Sequence, residues 1–130
     1  MSAEAGLARW HAVVESGDPT ALAALVADDA VFCSPIVYAP QRGKDLTITY
    51  LTAAFHVLVP NGFHYVREIV GERDAALEFV AEIDGVHVNG IDLIHWNGDG
   101  LIDDFKVMVR PMKAIDLLRT LMMAQLAGAR

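Results

Sequence analysis

The hydrophobic period of this chain changes near Phe63 from about 3.6 residues to 2. Upstream, apolar residues recur at helical spacing. Residues from about Glu4 to Glu15 place Leu7, Trp10 and Val13 or Val14 on one face, and Gly17 stops them. Asp18 then caps a second helix, with Pro19 at its first position and Leu22, Leu25 and Val26 as its apolar face. After the acidic break Asp28-Asp29, a short strand runs from Ala30 to Ser34, followed by an irregular segment punctuated by Pro35 and Pro40. A third helix from about Asp45 to Leu58 presents Ile48, Leu51 or Thr52, Phe55 and Leu58, and Pro60 and Asn61-Gly62 end it.

Downstream of Phe63 the alternation and the turn signals at Gly71 to Asp74, Asp84-Gly85 and Asn97 to Gly100 predict four strands in a meander. Leu77, Phe79, Ala81 and Ile83 share one face against Glu78, Val80, Glu82 and Asp84. Phe105, Val107 and Val109 likewise oppose Asp104, Lys106, Met108 and Arg110. A helix after Pro111 carries Ile115, Leu118, Leu121, Met122 and Leu126, a stripe suited to packing on a core or a second copy. Helices first and hairpin-linked strands afterwards make the fold α+β, an antiparallel sheet with helices on one face. At 130 residues the chain forms one domain, 1–130.

Composition narrows the function. The apolar fraction of 54% exceeds what one small core uses, so a ligand cavity or a subunit interface is expected. No apolar run approaches the roughly 18 to 20 residues of a membrane span, since Asp28, Pro60 and Arg119 cut the richest stretches. A net charge of −7 with scattered basic residues repels nucleic acid. The start Met-Ser-Ala-Glu-Ala lacks the basic and apolar regions of a secretion signal, so a cytoplasmic location is expected. Cys33, the only cysteine, forms no internal disulfide and is expected to be a small buried apolar residue.

One acid breaks the pattern. In Gly90-Ile91-Asp92-Leu93-Ile94-His95-Trp96, Asp92 shares its parity with Val88, Gly90, Ile94 and Trp96, whereas His87, Asn89 and His95 lie on the other. A carboxylate taken into an apolar interior raises its pKa or finds a partner, so Asp92 marks a site or a structural hydrogen bond. Trp10 is expected as a pocket wall whose indole N–H donates to Asp92 or to ligand, and Ser34 as a pocket-lining or turn-capping hydroxyl. Tyr38 is a candidate lid residue. The outward set contains Val80, Ile91, Leu93, Ile102 and Met108, an apolar patch suited to a two-fold dimer. Histidine spacing argues against a metal: His87 and His95 share a face but stand about 26 Å apart in a strand. His56 and His64 are the two placed to reach a pocket mouth. The acids Asp99, Asp103 and Asp104 flank a turn and are expected to be solvated, and Gly90 marks a bulge or a close ligand approach.

The order of elements, together with Gly17-Asp18, Ala27-Asp28-Asp29-Ala30 and Asp92-(x)7-Gly100-Leu101-Ile102, resembles the nuclear-transport-factor-2-like superfamily, in its SnoaL-like polyketide cyclase and ketosteroid isomerase branch. The resemblance implies a cone: a curved sheet wrapped around the helices, an apolar pocket inside and a homodimer through the outer sheet face. It implies cofactor-independent acid/base chemistry on an apolar small molecule, as cyclase, isomerase or hydrolase, with Asp92 catalytic and no metal. The ligand would meet Trp10, Phe32, Ser34, Tyr38, Leu51, Phe55, Phe79, Phe105 and Val107. The alternative is a non-catalytic binding or dimerising module of the same fold. The isomerases' general-base Asp corresponds to Ser34, their oxyanion tyrosine to Trp10 and two supporting tyrosines to Val26 and Leu51; only their second oxyanion acid remains, as Asp92. Steroid isomerisation by that arrangement is therefore not expected. The limonene epoxide hydrolase pattern would put an Arg where Gly90 stands, which leaves the cyclase branch as the best enzymatic match.

Overall fold

The computed structural model describes residues 3–128. Helix α1 (Ala3–Ser16) ends where Gly17 takes a positive φ of 67° and its N–H caps the carbonyls of Val13 and Val14. Asp18 does act as a cap, accepting from the Thr20 N–H and hydroxyl, but the segment it opens is a six-residue 3-10 helix, Pro19–Ala24, rather than an α-helix. Its last turn closes early because Leu25 bonds back to Leu22 and Val26 already begins a strand.

Strand β1 (Val26–Cys33) thus starts four residues earlier than the sequence suggests, and the acids Asp28 and Asp29 lie inside it. Both are exposed, although they are consecutive, because the pairing register slips between Val26 and Val31. A two-residue strand β2 (Gln41–Arg42) leads into α2 (Lys44–Leu58). The meander is β3 (His64–Val70), β4 (Asp74–Ile83), β5 (Val86–Trp96) and β6 (Ile102–Arg110), and α3 (Met112–Gly128) closes the chain. The six strands form one sheet in the order β2-β1-β6-β5-β4-β3, antiparallel except where β1 runs parallel to β6.

Alternation holds along β4 and β5: Leu77, Phe79, Ala81 and Ile83 are buried, as are Val88, Gly90, Asp92, Ile94 and Trp96. It fails at Ile102, which is buried and not part of the outer patch. Trp96 pairs with Ile102 and His95 with Asp104, so Asp103 is an extra residue that flips the parity of the strand end. Cys33 falls on the outward parity of β1 and is half-buried. Two apolar clusters fill the concave side. One gathers Trp10, Phe32, Phe55, Leu77, Ile94, Trp96 and Phe105; the other gathers Val57, Phe79, Ala81, Ile83, Val88, Ala114 and Leu118. Tyr65 and Val107 pack against both, and Asp92 pairs with Val107 in the sheet.

No helix among the described residues is long and apolar enough to cross a membrane, and no three His, Cys, Asp or Glu side chains there come together as a metal site.

Candidate functional site

The concave side of the sheet encloses a cavity of about 390 Å³. Trp10 and Val14 of α1 form one wall, Tyr50, Leu51 and Phe55 of α2 another, and Phe32, Phe105 and Val107 of the sheet the floor. Leu118, Met122 and Leu126 of α3 close it. The apolar stripe of α3 therefore faces this space, and Arg119 stands at its rim. The volume lies within the range of small-molecule sites, roughly 300 to 1,000 Å³.

Among the described residues Asp92 is the only acid lining this cavity, and it is 5% exposed. Its Oδ2 accepts the Tyr65 hydroxyl at 2.6 Å, and the Tyr65 oxygen in turn accepts the Trp10 indole N–H at 2.9 Å. Donors thus run in one direction, Trp10 to Tyr65 to Asp92. Burial pushes the Asp92 carboxyl up to about 7, against the opposing pull of the Tyr65 hydrogen bond. Burial, then the charge and hydrogen bond of Asp92, hold the Tyr65 phenol well above its ordinary value, so it remains a neutral donor. Asp92 Oδ1 has no hydrogen-bond partner among the described residues. A carboxyl of this kind can take a proton near neutral pH and return it.

Tyr65 is the site residue that the sequence alone did not single out. It stands on β3, with β4 between it and Asp92, and it points inward because it pairs with the buried Phe79; the bulge at Val66 then pairs Arg67 with the outward Glu78. A signal was present, since Phe63 and Tyr65 share a parity and a buried tyrosine hydroxyl needs a partner. Trp10 is a wall, as expected, but its N–H goes to Tyr65 rather than to Asp92, and its ring packs on Phe55 and Phe105 with centroids 6.0 and 5.0 Å away.

Of the nine residues expected to meet a ligand, Trp10, Phe32, Ser34, Leu51, Phe55, Phe105 and Val107 line the cavity. Phe79 does not. It is fully buried in the second apolar cluster, with its ring over Gly90 and its centroid 5.0 Å from that of Phe63. Gly90 therefore admits the protein's own ring rather than a ligand. Tyr38 is not a lid: it is fully exposed and absent from the lining. The turn before it is tied down at Ser34, whose Oγ accepts from the Ile36 and Val37 N–H groups, and the chain beyond it runs over the surface. Neither His56 nor His64 lines the cavity; both are exposed, and His64 bonds to the Gly62 carbonyl. In the acidic group, Asp103 pairs with His95 at 2.5 Å.

Among solved structures, a steroid delta-isomerase from Pseudomonas aeruginosa is 36% identical, with a TM-score of 0.92 over 98% of this chain and 93% of that one. An uncharacterised protein with a cystatin-like fold from Silicibacter pomeroyi is also 36% identical, with a TM-score of 0.85 over 92% and 84%. The epoxide hydrolase/cyclase-like enzyme SalBIII, which takes part in pyran ring formation in the polyether salinomycin, shares the fold at 17% identity and a TM-score of 0.68 over 85% and 92%. No curated protein matches the sequence. The SnoaL-like domain profile matches residues 7–105, and with that match and the shared cone the chain belongs to the SnoaL-like family of the nuclear-transport-factor-2-like superfamily.

Proposed function

We propose that the chain is a cofactor-independent enzyme that moves a proton on an apolar small molecule, with Asp92 as the proton carrier. The observation that carries this reading is a single acid in an apolar cavity, braced on one oxygen by Tyr65 and with a pKa of about 7. With no second carboxyl among the described residues that line the cavity, the same group takes the proton from one carbon and delivers it to another, which is the chemistry of an isomerase rather than of a two-acid hydrolase. The likeness to a protein named as a steroid delta-isomerase supports a 3-oxo-Δ5-steroid as the first substrate to try. Its conversion to the conjugated ketone is followed by ultraviolet absorbance.

The pH profile tests the reading. Asp92 acts as a base only when ionised, so kcat/KM is expected to rise as pH increases through about 7 and then level. Tyr65→Phe removes the hydrogen bond that favours the ionised form, and the midpoint is expected to move to higher pH. A flat profile from acid to mildly alkaline pH ends the role of Asp92 as base. Tight binding of the ketone with no turnover by any route identifies a binding module instead.

The outer face of the sheet supports a second copy of the chain as partner. Ile91, Leu93 and Met108 are exposed there, and Ile91 pairs with Met108 in adjacent strands, so the two lie side by side. The wild-type protein is expected to sediment as a dimer at micromolar concentration and Leu93→Glu as a monomer with its fold intact. A monomeric wild type removes this partner.

A further inference from the structure

The two charged side chains of the cavity stand at different depths. Among the described residues that line it, Asp92 is the one acid and Arg119 the one cation. Asp92 is 5% exposed on the sheet, whereas the Arg119 side chain on α3 is 58% exposed. Two other lining residues are exposed, Val37 in the segment after β1 and Met123 one turn beyond Arg119. These three mark the mouth, and Asp92 marks the interior.

The helix explains how a cation comes to line an apolar space. Leu118, Met122 and Leu126 recur every four residues and face the cavity, and Arg119 and Met123 form the adjacent row at its lip. From such a row an arginine lays its methylene stem along apolar surface and carries its guanidinium out to water. Its ion pair does not hold it in place. Arg119 Nη2 lies 3.8 Å from Asp116 Oδ1, three residues earlier on the same helix, and both side chains are more than half exposed. A pair of this kind contributes little and leaves most of the five guanidinium N–H donors to other acceptors.

A ligand that fills this cavity has an apolar body, because Trp10, Phe55, Phe105 and Met122 line the space it occupies. Its two ends meet different chemistry. An ionised Asp92 repels an anion, and a carboxylate taken to the apolar interior would also lose its hydration. At the mouth a carboxylate keeps part of its water and meets a planar fork of N–H donors that matches its two oxygens.

We infer that the cavity takes an amphiphilic carboxylate, a molecule with an apolar body and one anionic end, and that Arg119 binds the anionic end at the mouth. The body enters first, and its far end reaches Asp92. That this far end is the one that reacts rests on the reading of Asp92 as proton carrier, whereas the contact with Arg119 does not. Arg119 is thus a specificity-determining residue. It stays remote from the reacting atoms, selects ligands that carry a carboxylate, and fixes which end goes in.

The test uses a 3-oxo-Δ4-steroid with a short carboxylate side chain at the end remote from the ketone, and the methyl ester of the same compound. Each is titrated calorimetrically into wild type, Arg119→Met and Arg119→Glu. The conjugated ketone is the product side of the proposed isomerisation, so the heat measured is that of binding. Wild type is expected to bind the acid about fivefold more tightly than the ester at low salt, and about twofold at roughly 0.5 M salt, because the pair is partly solvated. Arg119→Met, which keeps an unbranched apolar stem, brings the ratio to about one, and Arg119→Glu inverts it. Because both ligands are measured on the same variant, a general loosening of α3 cancels from the ratio, and the salt dependence needs no variant at all. A wild type that binds neither ligand, a wild type with no preference for the acid, or a preference that survives in Arg119→Glu overturns the inference. The Asp92 reading fails by a different measurement, unchanged turnover of the corresponding Δ5 acid in Asp92→Asn, which leaves the acid-to-ester ratio standing.

Discussion

Asp92→Asn is expected to lower turnover of a 3-oxo-Δ5-steroid by about 10² to 10⁴-fold while leaving its binding within a few-fold, and to make the folded protein more stable above neutral pH. Asparagine keeps the shape of the carboxyl and can still accept from Tyr65, but it can neither take nor return a proton. The stability effect arises from the raised pKa. An unfolded Asp ionises near about 3.9, whereas the folded group holds its proton to about 7. Between those values the native state binds the proton that the unfolded state has released. Stability is therefore greatest below the unfolded pKa and falls as pH rises, levelling once the folded group has ionised too. A shift of this size corresponds to roughly 4 kcal/mol. The asparagine variant has no such loss, so the difference in Tm between variant and wild type is expected to be near its minimum at pH 4 and to open by about 10 °C by pH 8. Thermal unfolding at a series of pH values measures it, and parallel curves for the two proteins refute a buried, proton-holding Asp92. Unchanged turnover refutes the catalytic role whatever the curves show.

Gly90→Ala is expected to cost about 3 kcal/mol of stability, at the upper end for overpacking a core. A Cβ at position 90 would lie 2.3 Å from Phe79 Cζ and 2.7 Å from the Met108 carbonyl oxygen. The ring can move, but the carbonyl belongs to the backbone of β6, and Gly90 pairs there with Val109. For this reason Phe79→Leu in the Gly90→Ala background is expected to recover only part of the loss. The effect also reaches the site. Phe79 packs on Phe63, which packs edge-on against Tyr65 with centroids 5.1 Å apart, and Tyr65 holds Asp92. Displacing Phe79 therefore disturbs the brace on the carboxyl as well as the core. Urea denaturation gives the magnitude, and an unchanged midpoint shows that the sheet relaxes around position 90 more easily than a closely packed interior allows.

The same contact explains why the chain departs from the epoxide hydrolase pattern at this position. An arginine side chain has no path out of a site where one carbon already meets a ring and a carbonyl. The glycine is a packing requirement of Phe79, and a reaction scheme that needs a charged group at position 90 is excluded by space.

Period and turn chemistry, both local properties, were enough to read from the sequence the helices before and after the sheet, the four-strand meander and the inward parity of Asp92. Each depends on residues within a few positions of one another. What the sequence left open depended on bulges and on which strands lie side by side. One extra residue, Asp103, turned Ile102 inward, and another, Val66, accompanies the inward turn of Tyr65 on an edge strand that is otherwise mostly exposed. Strand order put Tyr65 across β4 from Asp92 and brought Ser34 alongside Val107, relations between residues 27 and 58 positions removed from Asp92 in the chain. Alternation sends an acid inward but carries no information about its partner, because the partner is chosen by register, and register is settled only when the whole sheet has paired.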